Sequence, residues 1–204
     1  MGQDDLELLA QWRAGDRRAG TALFRRYFAQ TRRFFRNKVG ADDVEDLVQR
    51  TFAGLVEAVE GFRGDASFRV YLFAVARRQL YKFLRDNGRR AARHDVDLGV
   101  SSIQALGFSP SSIIAAGEHQ VLIQQALQRI CVEHQTMMEL YYWEELPGPE
   151  IAEILGISPT TVRTRLHRAR KALEDELRTM LASPPRTTAA DELDAALRAV
   201  GSRL

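Results

Sequence analysis

The chain has 204 residues, 45% of them hydrophobic and 27% charged, which suits one medium domain or two small ones. No apolar run is long enough to span a bilayer and the first residues lack a signal-peptide pattern, so we expect a cytoplasmic protein without membrane insertion. The single cysteine, Cys131, excludes an intramolecular disulfide. The four histidines lack metal-ligand spacing, so neither a metal nor another cofactor is predicted.

The net charge of +2 conceals an uneven distribution of charge along the chain. Residues 42–60 contain six acids and one arginine, whereas residues 63–93 contain nine cations and two acids. Residues 163–171 contain five cations and no acid. Blocks of this kind favour one surface for a basic partner and two surfaces for a polyanion.

The first part of the chain is predicted to form four helices, because its apolar residues recur at helical spacing. A short helix comes first, and a strongly basic one follows and ends near Gly40. A third helix carries one apolar stripe, made of Val44, Leu47, Val48, Phe52, Leu55, Val56 and Val59. The fourth covers about residues 67–87, with Ser67 as its N-cap and Gly88 as its C-terminal stop.

The remainder is predicted to contain a linker and a second group of helices. Serine, glycine and proline interrupt any long period in residues 88–117, which indicates a flexible linker. Two helices follow within residues 118–142, then a turn at residues 147–149, a short helix at 150–155 and a long helix at about 159–181. Cys131 is predicted to lie inside a helix, three residues before His134.

The predicted fold is therefore all-α, with two small helical domains, residues 1–87 and 118–182, joined by the flexible linker of residues 88–117. A tail of residues 183–204 remains, in which Leu193, Leu197 and Val200 have helical spacing. The tail either folds back on one domain as an internal brake or is a disordered terminus.

Residues 150–171 have the features of a helix-turn-helix. Gly156 can take the left-handed conformation that a tight turn needs, Ser158 can cap the next helix, and Pro159 suits its first position. The residues predicted to face outward are Thr160, Thr161, Arg163, Thr164, His167, Arg168 and Lys171. Hydroxyls and arginines without a nearby acid suit the major groove of DNA. The plainer alternative is a helical hairpin with a solvated basic face.

Residues 62–85 interleave aromatic rings with cations. Rings such as Tyr71 and Tyr81 can stack on unpaired bases, while arginines and lysines follow the phosphate backbone. Most other aromatic and apolar residues of this segment, Phe68, Leu72, Phe73 and Phe83, are predicted to be core because they share one apolar stripe. The segment thus predicts contact with single-stranded nucleic acid.

Four motifs, in this order, resemble the extracytoplasmic-function class of bacterial RNA polymerase sigma factors. The polymerase-binding segment of that family is similar to residues 43–52, DVEDLVQRTF, and the turn after it to residues 62–68, FRGDASF. The family's I-A-R-N motif is similar to residues 75–78, VARR, and its helix-turn-helix to residues 161–170, TVRTRLHRAR. The resemblance covers about residues 5–181.

The resemblance implies a subunit that carries core RNA polymerase to promoters and has no catalytic activity of its own. The residues implied to dock on the clamp helices of the largest polymerase subunit are Asp43, Asp46, Gln49 and Phe52. Those implied to face the single-stranded −10 element are Arg69, Tyr71, Arg77, Arg78 and Lys82. The outward residues of the helix-turn-helix, 160–171, would enter the −35 duplex. Further implied partners are the flap of the second-largest subunit and an anti-sigma factor.

Two other functions stay open at this point. A stand-alone helix-turn-helix regulator would bind duplex DNA as a dimer and would have no affinity for core polymerase. It would leave the acidic helix and the arginine-aromatic helix without a purpose. An enzyme would need a nucleophile, a base and an orienting group. For Cys131 and His134, core packing and a surface histidine are the better explanation, because no glycine-rich or oxyanion-type loop accompanies them.

Overall fold

The computed structural model of the protein describes residues 2–58, 66–92, 99, 101–102, 118–181 and 190–202. The helices in these residues are α1 (Gly2–Arg13), α2 (Arg17–Arg36), α3 (Ala41–Ala58), α4 (Phe68–Ala92), α5 (Glu118–Leu127), α6 (Val132–Tyr142), α7 (Gly148–Leu155), α8 (Pro159–Met180) and α9 (Ala190–Gly201). The predicted all-α class is confirmed. None of these helices is long and apolar enough to cross a membrane.

The first domain consists of α1 to α4 and packs around one apolar core. Its centre has no exposed surface and comprises Leu23, Phe35, Leu47, Leu55, Leu72, Phe73 and Leu80. The predicted stripe of α3 is buried from Val44 to Leu55, but Val56 is 51% exposed. Val59 lies outside the described residues. Asp16 caps α2 by accepting a hydrogen bond from the Arg18 amide at 2.8 Å.

Helix α4 is longer than the sequence predicted. Ser67 Oγ accepts a hydrogen bond from the Val70 amide at 3.3 Å, as expected of an N-cap. The predicted stop at Gly88 is wrong, because the helix continues to Ala92. The residues after Gly88 are two arginines and two alanines, all good helix formers that outweigh one glycine. The rest of the predicted linker is described only at residues 99 and 101–102.

The second domain consists of α5 to α9 and contains the predicted helix-turn-helix. Gly156 lies between α7 and α8 in the left-handed region, at φ 68 and ψ 38, as the tight turn requires. The predicted turn at residues 147–149 is only partly correct, because α7 already begins at Gly148 after Pro147. Proline is tolerated in the first helical turn, where its missing N–H has no intrahelical acceptor.

Cys131 does not lie inside a helix, contrary to the prediction. It occupies the N-cap position of α6 and pairs with Ser102 in an isolated β-bridge, in which the Val132 amide donates to the Ser101 carbonyl at 3.0 Å. Its extended backbone, at φ −60 and ψ 148, ends the loop after α5. The cysteine is therefore part of a connection between helices.

The tail helix α9 folds back on the second domain. Leu193, Leu197 and Val200 are all buried, in one cluster with residues of α5, α6 and α8. Of the two alternatives for the tail, the disordered terminus is thus wrong for residues 190–202, whereas the brake stays a prediction.

The two domains also pack against each other, which the sequence did not predict. Helix α4 of the first domain lies against α7 of the second. Buried residues from both domains, including Phe68, Leu80, Leu140 and Ile151, belong to one continuous apolar cluster. The contact brings the start of α4 close to the loop between α6 and α7.

Candidate nucleic-acid and protein interfaces

Helix α8 presents an exposed polar and cationic face. Val162 and Ala169 are buried beneath it, and Ser158 caps the helix by accepting from the Thr161 amide at 3.2 Å. Thr161 is half-buried, and the other residues predicted to face outward are exposed: Thr160, Arg163, Thr164, His167, Arg168 and Lys171. The face combines short hydroxyls near the positive end of the helix dipole with cations further along.

Two arginines of α8 form ion pairs within the protein and are not presented to a partner. Arg165 forms an ion pair with Glu133 of α6, and Arg170 forms one with Asp194 of α9 at 2.8 Å. The cationic block of residues 163–171 is thus divided. Arg163, Arg168 and Lys171 are exposed, whereas the other two fasten α8 to its neighbours.

Helix α4 presents fewer of its cations than the sequence suggested. Arg78 and Lys82 are exposed. Lys82 borders a polar depression of about 280 Å³ between α3 and α4, whose lining also includes Asp43, Asp46 and Asp86. Arg77 is half-buried, with its guanidinium 4.4 Å from the centre of the Tyr81 ring. The exposed part of the predicted −10 surface is therefore centred on Arg78 and Lys82.

The two tyrosines of α4 are both half-buried. Burial raises the pKa of Tyr81, against the opposing effect of the Arg77 charge. The Tyr81 side chain packs against the apolar cluster that both domains share, so Tyr81 is part of the domain contact. With Arg77 over its ring, Tyr81 is not presented for base stacking in this arrangement. Burial also raises the pKa of Tyr71.

The aromatic residues predicted as core behave largely as expected. Phe68, Leu72 and Phe73 are buried, and Phe83 is half-buried at the edge of the core. Arg69 points to the other domain, where its Nη2 donates to the backbone carbonyl and the carboxylate of Glu144. A DNA contact by Arg69, as predicted, requires Glu144 to be displaced.

The four predicted polymerase-binding residues lie on two sides of α3. Asp43 and Asp46 are half-buried and line the polar depression. Burial raises the pKa of Asp43, and the neighbouring Asp42 and Asp46 carboxylates raise it further. Asp46 also pairs with Arg50 at 2.8 Å, so the one cation of this block is matched locally.

Gln49 and Phe52 line an apolar groove of about 640 Å³ between α2 and α3, which α1 borders. The groove also contains Phe24 and Val56, which the sequence did not indicate as site residues and which are 37% and 51% exposed. The ring centroids of Phe24 and Phe52 are 4.6 Å apart. The available signal was that Phe24 and Phe28 widen the apolar stripe of α2 beyond what one core needs.

Both domains match family models. Residues 23–90 match the model described as Sigma-70 region 2, and residues 120–173 match the model described as Sigma-70, region 4. Helix α9 lies outside both matched segments.

Relatives match this chain across both domains. The ECF RNA polymerase sigma-E factor of Haemophilus influenzae is 25% identical over 183 residues, covering 87% of this chain and 97% of the relative. That of Escherichia coli K12 is 26% identical over 187 residues, covering 87% and 96%.

Two solved structures have a similar fold. CnrH, in complex with the cytosolic domain of CnrY, is 27% identical with a TM-score of 0.63, covering 86% of this chain and 98% of CnrH. The sigma factor RpoE, in complex with the anti-sigma factor NepR from Bartonella quintana, is 20% identical with a TM-score of 0.59, covering 78% and 96%. The second likeness concerns the fold alone.

The order of the matched segments decides between the functions that the sequence left open. A stand-alone helix-turn-helix regulator is not favoured, because the first domain matches region 2 and the relatives match across both domains. Region 2 matches the first domain, region 4 matches the domain that carries the helix-turn-helix, and ECF sigma-E factors match across both. The chain therefore belongs to the extracytoplasmic-function sigma factors, which direct the initiation of transcription.

Proposed function

We propose that the chain binds core RNA polymerase through α3 and holds a promoter at two points, with α4 on the −10 element and α8 on the −35 element. The observation that supports this most is the presence of exposed cations on one helix of each domain, Arg78 and Lys82 on α4 and Arg163 and Arg168 on α8. Two cationic faces on separate domains are suited to binding one polyanion at two points.

The proposed polymerase contact uses the acids and the apolar groove on either side of α3. Asp43 and Asp46 attract a basic partner, and the groove beside Gln49 and Phe52 offers exposed aromatic surface of the kind that marks protein contacts. The clamp helices of the largest polymerase subunit are the proposed partner. The flap of the second-largest subunit is the proposed partner of the second domain.

At the −10 element, Arg77, Arg78 and Lys82 are proposed to follow the backbone of the non-template strand, with Tyr71 beside an unpaired base. Binding the separated strand favours the opened duplex, because the binding energy offsets unstacking and unpairing. At the −35 element, α8 enters the major groove, where Arg163 and Arg168 are the candidates for bidentate contacts to guanine.

Each contact gains from the other, because one tethered contact raises the effective concentration of the next. Sigma factors are not enzymes, and we propose that the polymerase supplies all the chemistry while this chain supplies position. Bacterial polymerase and chromosome share the cytoplasm, so the chain is proposed to act there. An anti-sigma factor is a further proposed partner, since the structural relative RpoE is bound to one.

Initiation by reconstituted holoenzyme tests the proposal. Core polymerase plus this chain should initiate from a defined set of genomic sites, found by sequencing the 5′ ends of the transcripts. The double variant R163A/R168A should lose most of this output. R178A is the matched control on the same helix, because Arg178 pairs locally with Glu174 and Asp175. Absence of initiation by the unaltered chain, or equal output from all three, would contradict the proposal.

A further inference from the structure

A carboxylate of the second domain binds two arginines of the first. Glu144, with its side chain 3% exposed, accepts from Arg33 Nη2 at 2.6 Å and lies 3.3 Å from Arg69 Nη2. Arg33 belongs to α2, and Arg69 is a predicted −10 residue of α4. The loop between α6 and α7 thus occupies one cation of the DNA-binding surface.

A second polar group of the junction is fully buried. Lys38, two residues after the end of α2, pairs with Glu139 of α6, and their side chains are 0% and 2% exposed. Asn37 Nδ2 donates to Glu139 Oε1 at 3.1 Å, and Gln135 Nε2 donates to the same oxygen at 2.9 Å. Burial lowers the pKa of Lys38, against the opposing effect of the Glu139 carboxylate. A buried pair with this many hydrogen bonds indicates a specific contact.

Helix α9 joins the same junction. Trp143 Nε1 donates to the Leu197 carbonyl at 3.0 Å, and Tyr142 donates to Asp194 at 2.6 Å. Gly201 lies so close to Trp143 that a Cβ there would overlap the indole ring. Arg33 Nη1 donates to the Gly201 carbonyl at 3.0 Å, so a first-domain cation binds the C-terminal end of α9, where cations are favoured.

The packed arrangement is too short to bind both promoter elements at once. The −35 and −10 elements are centred about 25 base pairs apart, which is about 85 Å of duplex. A compact body of 204 residues is only about 45 Å across. The two domains must therefore separate before α4 and α8 can occupy their proposed sites together.

We propose that Arg33, Glu144 and the α9 end at Gly201 form an intramolecular clasp that holds the sigma factor closed until polymerase and promoter open it. The inference rests on the proposed function. Opening the clasp releases Arg69 from Glu144 and makes it available for DNA. Helix α9 lies outside the segments that match regions 2 and 4, so the clasp includes a helix beyond those two matched segments.

The distance between the domains in the full-length chain tests the clasp. Spin labels at Q11C on α1 and E153C on α7, in a C131S background, report the separation by pulsed dipolar spectroscopy; both labelled positions are exposed. The unaltered clasp should give one short distance. R33Q should raise the separated population at least about tenfold, because it removes charged hydrogen bonds from a mostly buried acid.

Two further variants keep the test specific. G201V should open the clasp from the other side by pushing the end of α9 off Trp143, with the rest of the domain left intact by circular dichroism. R32Q is the matched control, because Arg32 is the neighbouring arginine on α2 and pairs at 2.6 Å with Glu45 inside the first domain. Unchanged distances in R33Q and G201V, or separated domains in the unaltered chain, would overturn the clasp.

The distance measurement uses no DNA and no polymerase, so it separates this inference from the proposed function. With limiting core polymerase, R33Q should also give more transcript than R32Q. The reason is that less of the free energy of polymerase binding is needed to separate the two domains. If no variant initiates transcription, the proposed function fails while the distance result still decides the clasp. Equal output from R33Q and R32Q would contradict the regulatory role of the clasp.

Discussion

Helices α4 and α8 have similar arginine-rich sequences but differ in how many of their cations they expose. On α8, Arg163 and Arg168 extend from a face that no other element of the described chain covers. On α4, Arg69 is bound to Glu144, and Arg77 covers Tyr81 at the domain junction. A run of arginines on a helix therefore indicates a cationic surface only when that helix lies at the outside of the fold.

The same difference separates the roles of the domains. Under the proposed function, the second domain has its face for duplex DNA already exposed, whereas the −10 face of the first domain is completed only when the domains separate. Variants of the junction, of α4, of the helix-turn-helix turn and of α6 test this difference between the domains.

The largest effect is expected at the buried junction. E139Q removes the carboxylate partner of the buried Lys38, so it should lower the free energy of unfolding by about 3–5 kcal/mol. Chemical denaturation measures the loss. The exposed control E153Q should change stability by less than about 0.5 kcal/mol. A small loss in E139Q would mean that the domains do not hold together in solution and would remove the contrast between α4 and α8.

The next largest effect is on DNA binding and concerns two cations of α4, Lys82 and Arg69. K82A should weaken binding to a single-stranded −10 oligonucleotide by about 1 kcal/mol and reduce the salt dependence, because Lys82 is an exposed cation. R69A should weaken it less, since Arg69 must first leave Glu144. Fluorescence anisotropy at several salt concentrations compares them. A larger loss for R69A than for K82A would contradict the closed arrangement.

A smaller loss of stability is expected at the turn of the helix-turn-helix, where G156A should lower the free energy of unfolding by at least about 1 kcal/mol. G156A forces a Cβ into the left-handed region, which disfavours the turn by about 1–2 kcal/mol. G148A is the matched control, because a Cβ at Gly148 meets no atom within 4 Å and its φ is not positive. Thermal unfolding should separate the two variants, and equal midpoints would show that the turn is not held in this conformation.

The smallest effect is a pH dependence in α6. Burial lowers the pKa of His134 below its ordinary 6.5, against the opposing charge of Glu133, and the Arg165 and Arg168 charges lower it further. The unfolded chain thus binds more protons just below pH 6.5, so stability should fall as pH decreases through that window. H134Q should flatten this slope in denaturation curves recorded between pH 7 and pH 5. An unchanged slope would contradict the buried setting of His134.

Local structure could be predicted from the sequence to a large extent. The left-handed Gly156, the cap at Ser158 and the buried stripe of α3 follow from short-range rules, and the structure confirms them. The errors also have local causes. Gly88 was too weak a signal to end α4, and Pro149 fitted the first turn of α7 instead of preceding it.

The candidate interfaces were only half visible in the sequence. Residue type and helical period placed Arg163 and Arg168 on an outer face, because α8 contacts its own domain on one side only. The same rules could not find Glu144 as a partner of Arg69, since the two residues are 75 positions apart. They also missed the exposed groove residues Phe24 and Val56, whose apolar character alone suggests a core.

Periodicity, capping and motif order in the sequence by themselves determined the helices, the helix-turn-helix and the family, because these depend on contacts within a few turns. Tertiary structure alone decided that the domains touch, that α9 covers Trp143 and that Arg33 binds Glu144. Such contacts depend on the shape and charge of surfaces brought together from distant parts of the chain, and no short-range pattern encodes them.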